Sequence, residues 1–191
     1  MNYLAHALLA EPYAHSLIGN IAGDLVKGPL SKHDLHPRVA DGVRRHRRVD
    51  SLTDSHSAYL VLKARFPQGH RRYAGLVLDV LFDHYLVRHW QRYSDWSRDA
   101  FLDGTYRVLR DNPLLLPEAL AAVSPRWVDA DWLRVYETRE GVAAVLERLS
   151  RRLSRPVDLV ALLKVVDESD TDFEQGFLAV FGDVQRAIGL Q

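Results

Sequence analysis

Hydrophobic positions along the chain recur with helical spacing and show almost none of the strict alternation that is typical of strands. The stretch 76–86 is an example, with apolar residues at Leu76, Leu78, Val80, Leu81, Tyr85 and Leu86. Helix-breaking residues divide the chain into segments of helical length. These breakers are Gly28-Pro29, Pro67-Gln68-Gly69, Asn112-Pro113, Ser124-Pro125 and Arg155-Pro156. The pattern predicts an all-α, single-domain helical bundle over residues 1–191, with about seven helices by the usual helix lengths.

The composition fits one globular domain and restricts the chemistry of any metal site. Of the 191 residues, 47% are hydrophobic and 26% are charged, which is enough to bury a substantial core. The chain contains no cysteine, so disulfides, thiolate nucleophiles and zinc-thiolate sites are excluded. His, Asp and Glu remain as the strong metal ligands, and any metal is therefore bound by nitrogen and oxygen.

The N-terminal stretch is apolar without being a convincing targeting signal. Residues 1–10 form a short segment that lacks a basic leader and is interrupted by His6, so we do not expect a signal peptide. No stretch approaches the ~18 uninterrupted apolar residues of a membrane span. We therefore expect a cytoplasmic protein without a membrane partner.

Positive charge is concentrated locally, although 25 Lys and Arg balance 25 Asp and Glu over the whole chain. Two clusters of four arginines stand out. They are Arg44, Arg45, Arg47 and Arg48, and Arg148, Arg151, Arg152 and Arg155. A local basic patch attracts an acidic partner without any net charge, but solvated helix faces also carry such clusters. Composition alone leaves both interpretations open.

The residue types that bind metals are concentrated in the first half of the chain. All nine histidines lie within the first 89 residues, together with seven aspartates. A helical bundle builds a metal site from His and carboxylate groups that project inward from several facing helices. The candidates come from separate segments. They are His6, Asp24, His46 with Asp50, and Asp83 with His84.

One pair of candidates lies in the arginine-rich segment 42–54. If this segment is helical, His46 and Asp50 share a face at the i, i+4 spacing, and Asp54 extends that face unless the helix bends at Thr53. The pair either binds a metal or merely stabilises an exposed helix. Arg47 adjoins the face and has the planar guanidinium that binds a phosphate in bidentate fashion.

A second group of candidates interrupts the apolar segment 76–86. Burial of an unpaired carboxylate costs several kcal/mol, so Asp79 and Asp83 require a metal, an arginine or a hydrogen-bond network. Adjacent residues point about 100° apart on a helix. Asp83 and His84 nevertheless both reach one metal if they line a groove between helices.

Two single residues complete the candidates. Asp24 follows the run 17–23, whose small residues allow another backbone to approach closely, so its carboxylate suits a position deep between helices. The alternative for Asp24 is an ordinary charge at a helix end. His6 lies alone on an apolar segment, where a satisfied core histidine is more common than a ligand.

Four groups of residues in the first half of the chain form an ordered series of motifs. They are Asn2-Tyr3-Leu4-Ala5-His6; Gly19-Asn20 with Asp24; His46-Arg47-Arg48-Val49-Asp50 with Thr53-Asp54; and Asp79 with Phe82-Asp83-His84 and His89-Trp90. In order and spacing the series resembles the acyl carrier protein phosphodiesterase family. The rest of the chain is similar only in length and helical character. Leu8 and Arg44 depart from the family, which often has histidine at these two positions.

The resemblance implies a fold, a reaction and a cofactor. The fold is all-helical and HD-domain-like, and the reaction hydrolyses the phosphodiester that joins 4'-phosphopantetheine to a serine of holo-acyl carrier protein. The implied cofactor is a divalent metal, with Mn²⁺ preferred and Mg²⁺ or another divalent ion as alternatives. The resemblance implicates five residues and supports His6 as a sixth. The five are Asp24, His46, Asp50, Asp83 and His84. All of the six except Asp50 are the expected metal ligands.

The remaining site residues follow from the chemistry of this reaction. Asp50 or Asp79 is the carboxylate that we expect to orient the attacking water. Acyl carrier protein is strongly acidic, so Arg44, Arg45, Arg47 and Arg48 are the expected substrate-binding residues. We expect acyl carrier protein as the substrate and no nucleic acid partner, while the oligomeric state is left open.

Two other functions remain as alternatives. An HD-like phosphohydrolase that acts on a nucleotide shares the metal site but requires no surface for docking a protein, so substrate competition separates it. A non-catalytic helical adaptor uses the arginine clusters to bind an acidic protein or a nucleic acid, and the absence of metal-dependent turnover identifies it.

Overall fold

A computed structural model describes residues 1–155 and 157–189, and over these residues the chain has eleven α-helices and no strand. The α-helices are α1 (Tyr3–Leu8), α2 (Ala14–Ala22), α3 (Pro37–Ser55), α4 (Ser57–Arg65), α5 (Ala74–Arg88), α6 (Arg98–Asp111), α7 (Glu118–Ala121), α8 (Ser124–Asp129), α9 (Arg139–Ser150), α10 (Leu163–Asp167) and α11 (Asp170–Ala187). Short 3₁₀ helices lie at Leu30–Lys32, Gln68–Tyr73, Trp90–Arg92, Pro113–Leu115 and Trp132–Glu137. The predicted all-α class is confirmed.

The sequence predicts about seven helices, and this number equals the number of long α-helices only. Seven of these eleven α-helices have nine residues or more, whereas α1, α7, α8 and α10 have six or fewer. Helices this short receive little stability from their own hydrogen bonds and depend on tertiary packing. The periodicity of the sequence therefore indicates the long helices and misses the short ones.

Most of the predicted breakers lie at helix ends. Gly28-Pro29 separates α2 from α3, and Gly28 has a positive φ of 77° that glycine tolerates without a steric penalty. Pro113 follows the last residues of α6, and Pro125 occupies the first turn of α8, where its missing N–H costs nothing. Pro156, in the fifth predicted breaker, lies outside the described residues.

The helices group into two compact units, each assembled from separate stretches of the chain. The histidine unit consists of Tyr3–Asp50 and His89–Arg134, and the C-terminal unit consists of Met1–Asn2, Ser51–Arg88 and Val135–Gln191. Because each unit is discontinuous in sequence, no single cut of the chain separates them. A single domain over residues 1–191 stays a prediction.

Within the histidine unit, α2 and α3 cross at glycines. A Cβ atom on Gly19 would lie 2.3 Å from the carbonyl oxygen of Val39 and 2.7 Å from Cα of Gly42. Such distances are far below van der Waals contact, so only glycine allows the two backbones to come this close. The small residues before Asp24 therefore admit a second backbone, as their size predicts.

The C-terminal unit has an aromatic and aliphatic core. The Tyr59 and Phe82 rings meet edge to face at 5.7 Å between centroids, and Phe82 meets Phe177 at 5.4 Å, which is the preferred geometry for aromatic pairs. A Cβ atom on Gly176 would lie 2.6 Å from Cδ1 of Leu62. This glycine on α11 thus allows α4 to pack closely. Among the described residues, no helix has both the length and the apolar character that crossing a membrane requires.

Candidate metal centre

Helix α3 contributes two neighbouring side chains, His46 and Asp50. Nε2 of His46 lies 3.0 Å from Oδ2 of Asp50, as their i, i+4 spacing predicts. His46 is only 2% exposed, so the pair is not a solvated surface pair. The helix continues unbroken to Ser55, while Asp54 is exposed to solvent.

Helix α1 brings a third side chain to the same carboxylate. Nε2 of His6 lies 3.0 Å from Oδ1 of Asp50, and the rings of His6 and His46 stack with their centroids 3.7 Å apart. Asp50 therefore presents one oxygen to each imidazole. Within residues 1–155 and 157–189, this is the one group in which three metal-ligating atoms of His, Asp or Glu lie within 4.8 Å of one another.

Asp24 adds a second carboxylate beside this group. Its Oδ1 atom lies 3.7 Å from Nε2 of His46, and its side chain is half exposed. Asp24 lies in the turn that follows α2, directly after Gly23. A Cβ atom on Gly23 would lie 2.1 Å from Cγ of His46. The glycine is thus required for the His46 ring to lie against this turn.

A backbone carbonyl fixes the orientation of the His46 ring. Nδ1 of His46 lies 2.8 Å from the carbonyl oxygen of Asn20. Because a carbonyl only accepts hydrogen bonds, Nδ1 is the donor in this contact. Nε2 is left facing Asp24 and Asp50. A metal-binding histidine usually has this arrangement, in which one ring nitrogen is held by a carbonyl and the other faces the ion.

The two stacked histidines have very different pKa values. Burial lowers the pKa of His6 to about 4 and outweighs its hydrogen bond with Asp50, so His6 is neutral. Burial also disfavours the charged form of His46. There, the hydrogen bonds and charges of Asp24 and Asp50 together outweigh burial and raise the pKa of His46 to about 9.

The carboxylates are correspondingly ionised. The hydrogen bond with His46 is the main reason that the pKa of Asp24 lies below its usual value. Burial acts to raise the pKa of Asp50, but its bonds with His46 and His6 outweigh burial and hold the pKa well below the usual range. At neutral pH the metal-free group therefore contains two carboxylates, one imidazolium and one neutral imidazole.

Two arginines of α3 brace the segments that carry the other site residues. Nε of Arg45 donates to the carbonyl oxygen of Leu9 at 2.6 Å, just beyond the end of α1. The guanidinium of Arg47 donates to the carbonyl oxygens of Val26 and Gly28 at 2.9 and 2.8 Å, in the loop after Asp24. The helix that carries His46 therefore also holds the His6 and Asp24 segments in place.

The four arginines predicted to bind substrate do not form one uniform patch. Arg44 and Arg48 are exposed, and Arg44 pairs with Asp41 on the same helix, whereas Arg45 and Arg47 are partly buried. The spacing of four basic residues in five positions distributes them around the helix. Their role in substrate binding stays a prediction, and the bracing contacts are a role that the sequence does not show.

The polar residues of α5 belong to the C-terminal unit and have partners there. Oδ1 of Asp79 accepts hydrogen bonds from the Met1 ammonium group at 2.9 Å and from the Tyr59 hydroxyl at 3.2 Å. Asp83 is fully buried and accepts a hydrogen bond from the backbone N–H of Asn2 at 3.3 Å. Asp83 thus has a hydrogen-bond partner, as a buried carboxylate requires, whereas the Asp79 side chain is about one-third exposed.

His84 is oriented in the same way as His46. Its Nδ1 lies 2.8 Å from the carbonyl oxygen of Tyr136, which leaves Nε2 for another partner. Burial is the main cause that lowers the pKa of His84. The assignment of Asp83 and His84 as metal ligands, and of Asp79 as a carboxylate that orients water, stays a prediction.

The donor set of the histidine unit fits a divalent first-row metal. It contains two imidazole nitrogens and a carboxylate oxygen, with a second carboxylate close by, and such nitrogen and oxygen donors suit Mn²⁺, Fe²⁺ or Zn²⁺. The orienting bond from His46 to the Asn20 carbonyl adds the outer support that metal sites require. Sequence reasoning misses Gly23 and the Asn20 carbonyl, although Gly23 lies in the small-residue run before Asp24.

Comparison with known proteins places this chain among named relatives. A protein from Pectobacterium atrosepticum named acyl carrier protein phosphodiesterase is 34% identical over 176 residues, covering 91% of this chain and 90% of the relative. Proteins of the same name from Serratia proteamaculans and Photorhabdus laumondii are 34% and 31% identical, covering 93% of this chain in each case and 92% and 89% of the relatives.

No solved structure matches the chain, so an HD-domain-like fold stays a prediction. The family model described as acyl carrier protein phosphodiesterase matches residues 1–184. This match covers nearly the whole chain and includes each of the predicted site residues. The chain belongs to the acyl carrier protein phosphodiesterase family.

Proposed function

We propose that this protein hydrolyses the phosphodiester that joins 4'-phosphopantetheine to a serine of holo-acyl carrier protein, and that the reaction depends on a divalent metal. The observation that carries the proposal is the convergence of His6, His46 and Asp50 within 4.8 Å. Membership of the family supports the substrate, because the named relatives carry that substrate in their names.

The proposed metal is held by His6, His46 and Asp50, with Asp24 beside them. Asp83 and His84 remain proposed as further ligands, and Mn²⁺ is the proposed ion. A divalent ion held there would neutralise phosphate oxygens and activate a water molecule, and would thus supply both charge stabilisation and a nucleophile.

The two carboxylates have different environments and suit different tasks. Asp50 presents its two oxygens to two imidazoles at 3.0 Å, which supports a role as a ligand. Asp24 is half exposed and 3.7 Å from His46, so its carboxylate is accessible for orienting a water molecule. We therefore propose Asp24, which the sequence predicts as a metal ligand, as a further candidate for the water-orienting role beside Asp50 and Asp79.

The reaction replaces one phosphorus–oxygen bond with another. The water oxygen attacks phosphorus, the bond from phosphorus to the serine oxygen breaks, and the serine oxygen takes up a proton. The products are apo-acyl carrier protein and 4'-phosphopantetheine. The exposed Arg44 and Arg48 are proposed to attract the acidic carrier protein, since surface charges raise association rates more than they raise affinity.

Intact-mass measurement of holo-acyl carrier protein tests the proposal. The protein is incubated with the carrier protein and Mn²⁺, with and without EDTA, and a dinucleotide phosphodiester is offered as a competing substrate. Loss of the 4'-phosphopantetheine mass only in the presence of metal supports the proposal. Hydrolysis of the nucleotide alone supports the nucleotide phosphohydrolase, and the absence of metal-dependent turnover on either substrate supports the adaptor.

Matched variants connect this activity to the metal centre. Asp50→Asn keeps the shape of the side chain but removes the charge that faces both imidazoles, and it is expected to abolish conversion. His36→Asn is the control, because His36 is exposed and its ring accepts a hydrogen bond from the Arg38 backbone, an acceptor role that asparagine can fill. If Asp50→Asn were as active as the control His36→Asn, the metal centre would not be the site of the reaction.

A further inference from the structure

The segment 57–73 combines exposed apolar groups, positive charge and a complete lack of carboxylates. It comprises α4 and the 3₁₀ helix Gln68–Tyr73, both in the C-terminal unit. The segment contains Lys63, Arg65, Arg71 and Arg72 but no Asp or Glu. In a chain with equal numbers of acidic and basic residues, this local imbalance is large.

Helix α4 exposes two adjacent aliphatic side chains. Leu60 is 51% exposed and Val61 is 59% exposed, whereas Tyr59 and Leu62 on either side are buried in the core of the unit. Single exposed aliphatic residues are common and require no explanation. Here, Val61 also lines a groove of about 360 Å³ formed with Arg65 of α4 and Gly176 of α11. The helix thus offers an apolar ridge beside a groove.

Three positive groups of the segment, Lys63, Arg71 and Arg72, form no ion pair with a carboxylate of the described residues. Arg71 donates to the carbonyl oxygens of Phe66 and Ala64 at 3.1 and 3.0 Å, and these neutral acceptors leave its charge uncompensated. Lys63 lies 5.3 Å from the centroid of the Tyr59 ring, and Arg72 lies 4.6 Å from that of Tyr73.

Arg65 differs from these three residues, because it pairs with Asp172 of α11 at 2.9 Å. We therefore leave it out of the basic set. One ordinary explanation covers part of the set, since a basic residue near the C-terminus of a helix stabilises the helix dipole. That explanation covers Lys63, which lies in the last turn of α4, and Arg71, which donates to carbonyls at the end of α4. It does not account for two exposed aliphatic residues on the same helix.

We infer that Leu60, Val61, Lys63, Arg71 and Arg72 form a docking face for an acidic protein helix that carries exposed apolar side chains. We name this surface the α4 face. Its occupant is the carrier protein of the proposed function, on which the inference rests. Charge complementarity supports this occupant, because the face has three uncompensated cations and the carrier protein is strongly acidic.

The α4 face contains the two kinds of group that protein interfaces combine, exposed apolar side chains and charged side chains. Apolar side chains in the centre contribute to affinity because their surface leaves water, while charges around them attract and orient the partner. Leu60 and Lys63 share one side of α4 at the i, i+3 spacing. An acidic helix can therefore contact an apolar group and a cation on the same side of α4.

Two pairs of substitutions test the face, and each has a matched control elsewhere in the chain. Lys63→Glu with Arg72→Glu reverses two charges, and Arg107→Glu, an exposed arginine of α6, is the charge control. Leu60→Ser with Val61→Ser removes the apolar ridge, and Leu114→Ser is the apolar control, because Leu114 is 98% exposed. Arg71 is left unchanged because it braces backbone carbonyls.

The readouts are binding of apo-acyl carrier protein by fluorescence anisotropy and the separate kcat and KM values for holo-acyl carrier protein. Charge reversal is expected to raise Kd and KM on the order of tenfold at low salt while kcat changes little, and the difference should shrink at high salt. Removal of the ridge is expected to raise Kd at both salt concentrations. Neither control variant should change Kd or KM by as much as twofold.

The outcomes separate this inference from the proposed function. Unchanged Kd and KM in both double variants would overturn the docking face while leaving the activity in place. Weakened binding in the double variants without any turnover by the wild-type protein would support the docking face and contradict the proposed function. Tighter binding of an RNA oligonucleotide than of the carrier protein, lost in Lys63→Glu with Arg72→Glu, would assign the face to nucleic acid and overturn the inference.

Discussion

His46 of α3 and His84 of α5 are oriented by the same kind of bond but lie in opposite electrostatic environments. Each ring places Nδ1 at 2.8 Å from a backbone carbonyl, that of Asn20 or that of Tyr136. Asp24 and Asp50 outweigh burial and raise the pKa of His46 to about 9. Burial lowers the pKa of His84. The backbone thus sets the direction of each ring, while neighbouring carboxylates decide whether it carries a proton.

The carboxylates of the same two helices differ in a parallel way. Asp50 on α3 faces two imidazoles at 3.0 Å, which are groups that can bind a metal. Asp79 on α5 accepts hydrogen bonds from the Met1 ammonium and the Tyr59 hydroxyl and is not among the described residues that cluster as potential metal ligands. Aspartates in two helices that each carry a histidine therefore have different partners. The predictions below are ordered by the size of effect that this contrast implies.

The largest expected effect is the loss of activity in Asp50→Asn. The substitution removes the charge shared by His6 and His46, so kcat/KM for holo-acyl carrier protein should fall by on the order of a hundredfold or more. Steady-state kinetics measures the loss, and far-ultraviolet circular dichroism checks that the helices remain. A fall of less than tenfold would show that Asp50 is not part of the reacting centre.

Alanine at two glycines is expected to have opposite effects on stability. In Gly23→Ala the new Cβ would lie 2.1 Å from Cγ of His46, so the free energy of unfolding should fall by about 1–3 kcal/mol. In Gly75→Ala on α5, the nearest atom is the Tyr59 hydroxyl oxygen at 3.5 Å. Because this contact is ordinary, alanine should raise the free energy of unfolding, by at most about 0.5–1 kcal/mol because position 75 lies in the first turn of α5.

Urea denaturation of the two variants provides the measurement. Gly23→Ala should also weaken metal binding because it displaces the His46 ring, whereas Gly75→Ala should not. If Gly23→Ala retained both its stability and its metal affinity, the His46 ring would not depend on the close approach at Gly23.

The raised pKa of His46 predicts a pH-dependent affinity for metal. His46 must lose its proton to bind an ion, so the affinity should rise by about tenfold per pH unit between about pH 6.5 and pH 8.5, with one proton released per ion. Calorimetric titration in two buffers of different ionisation enthalpy measures that proton. A flat affinity across this range would show that His46 is not a ligand. His84 has a lowered pKa, so ligation by it would add no such dependence.

The same proton affects the stability of the metal-free protein. The pKa of His46 in the folded protein, about 9, lies above its ordinary value of 6.5. Its stabilising contribution is therefore complete below pH 6.5 and is lost as the pH rises through 9. Thermal unfolding of the EDTA-treated protein should show a lower Tm at the alkaline end of this window. Asp24→Asn should reduce this loss because it removes one of the two carboxylates that raise the pKa.

The smallest expected effect is that of Asp79→Asn. The carboxylate is about one-third exposed, so loss of its pair with the Met1 ammonium should lower the free energy of unfolding by about 1 kcal/mol. Metal affinity should be unchanged, as measured by titration with Mn²⁺. A large fall in kcat with unchanged stability would instead support the water-orienting role predicted for Asp79.

The sequence predicts those features that depend on local spacing. His46 and Asp50 lie on one face of α3 because they are four residues apart, which is about one helical turn. The close approach of α3 to α2 follows from the small size of Gly19 and its neighbours. The contact of His6 with Asp50 joins residues 44 positions apart, so the helical periodicity of the sequence cannot predict it. Likewise, the bonds of Arg45 and Arg47 to backbone carbonyls of distant segments depend on tertiary structure, and a charge cluster alone does not distinguish them from a docking patch.

A count of bound ions tests whether His46 and its neighbours hold the metal. Electron paramagnetic resonance of free Mn²⁺ during a titration measures the number of ions bound by the wild-type protein, by His46→Gln and by the control His36→Asn. We expect the wild type and His36→Asn to bind Mn²⁺ with equal affinity and His46→Gln to lose this binding. Retention of wild-type binding by His46→Gln would contradict this expectation.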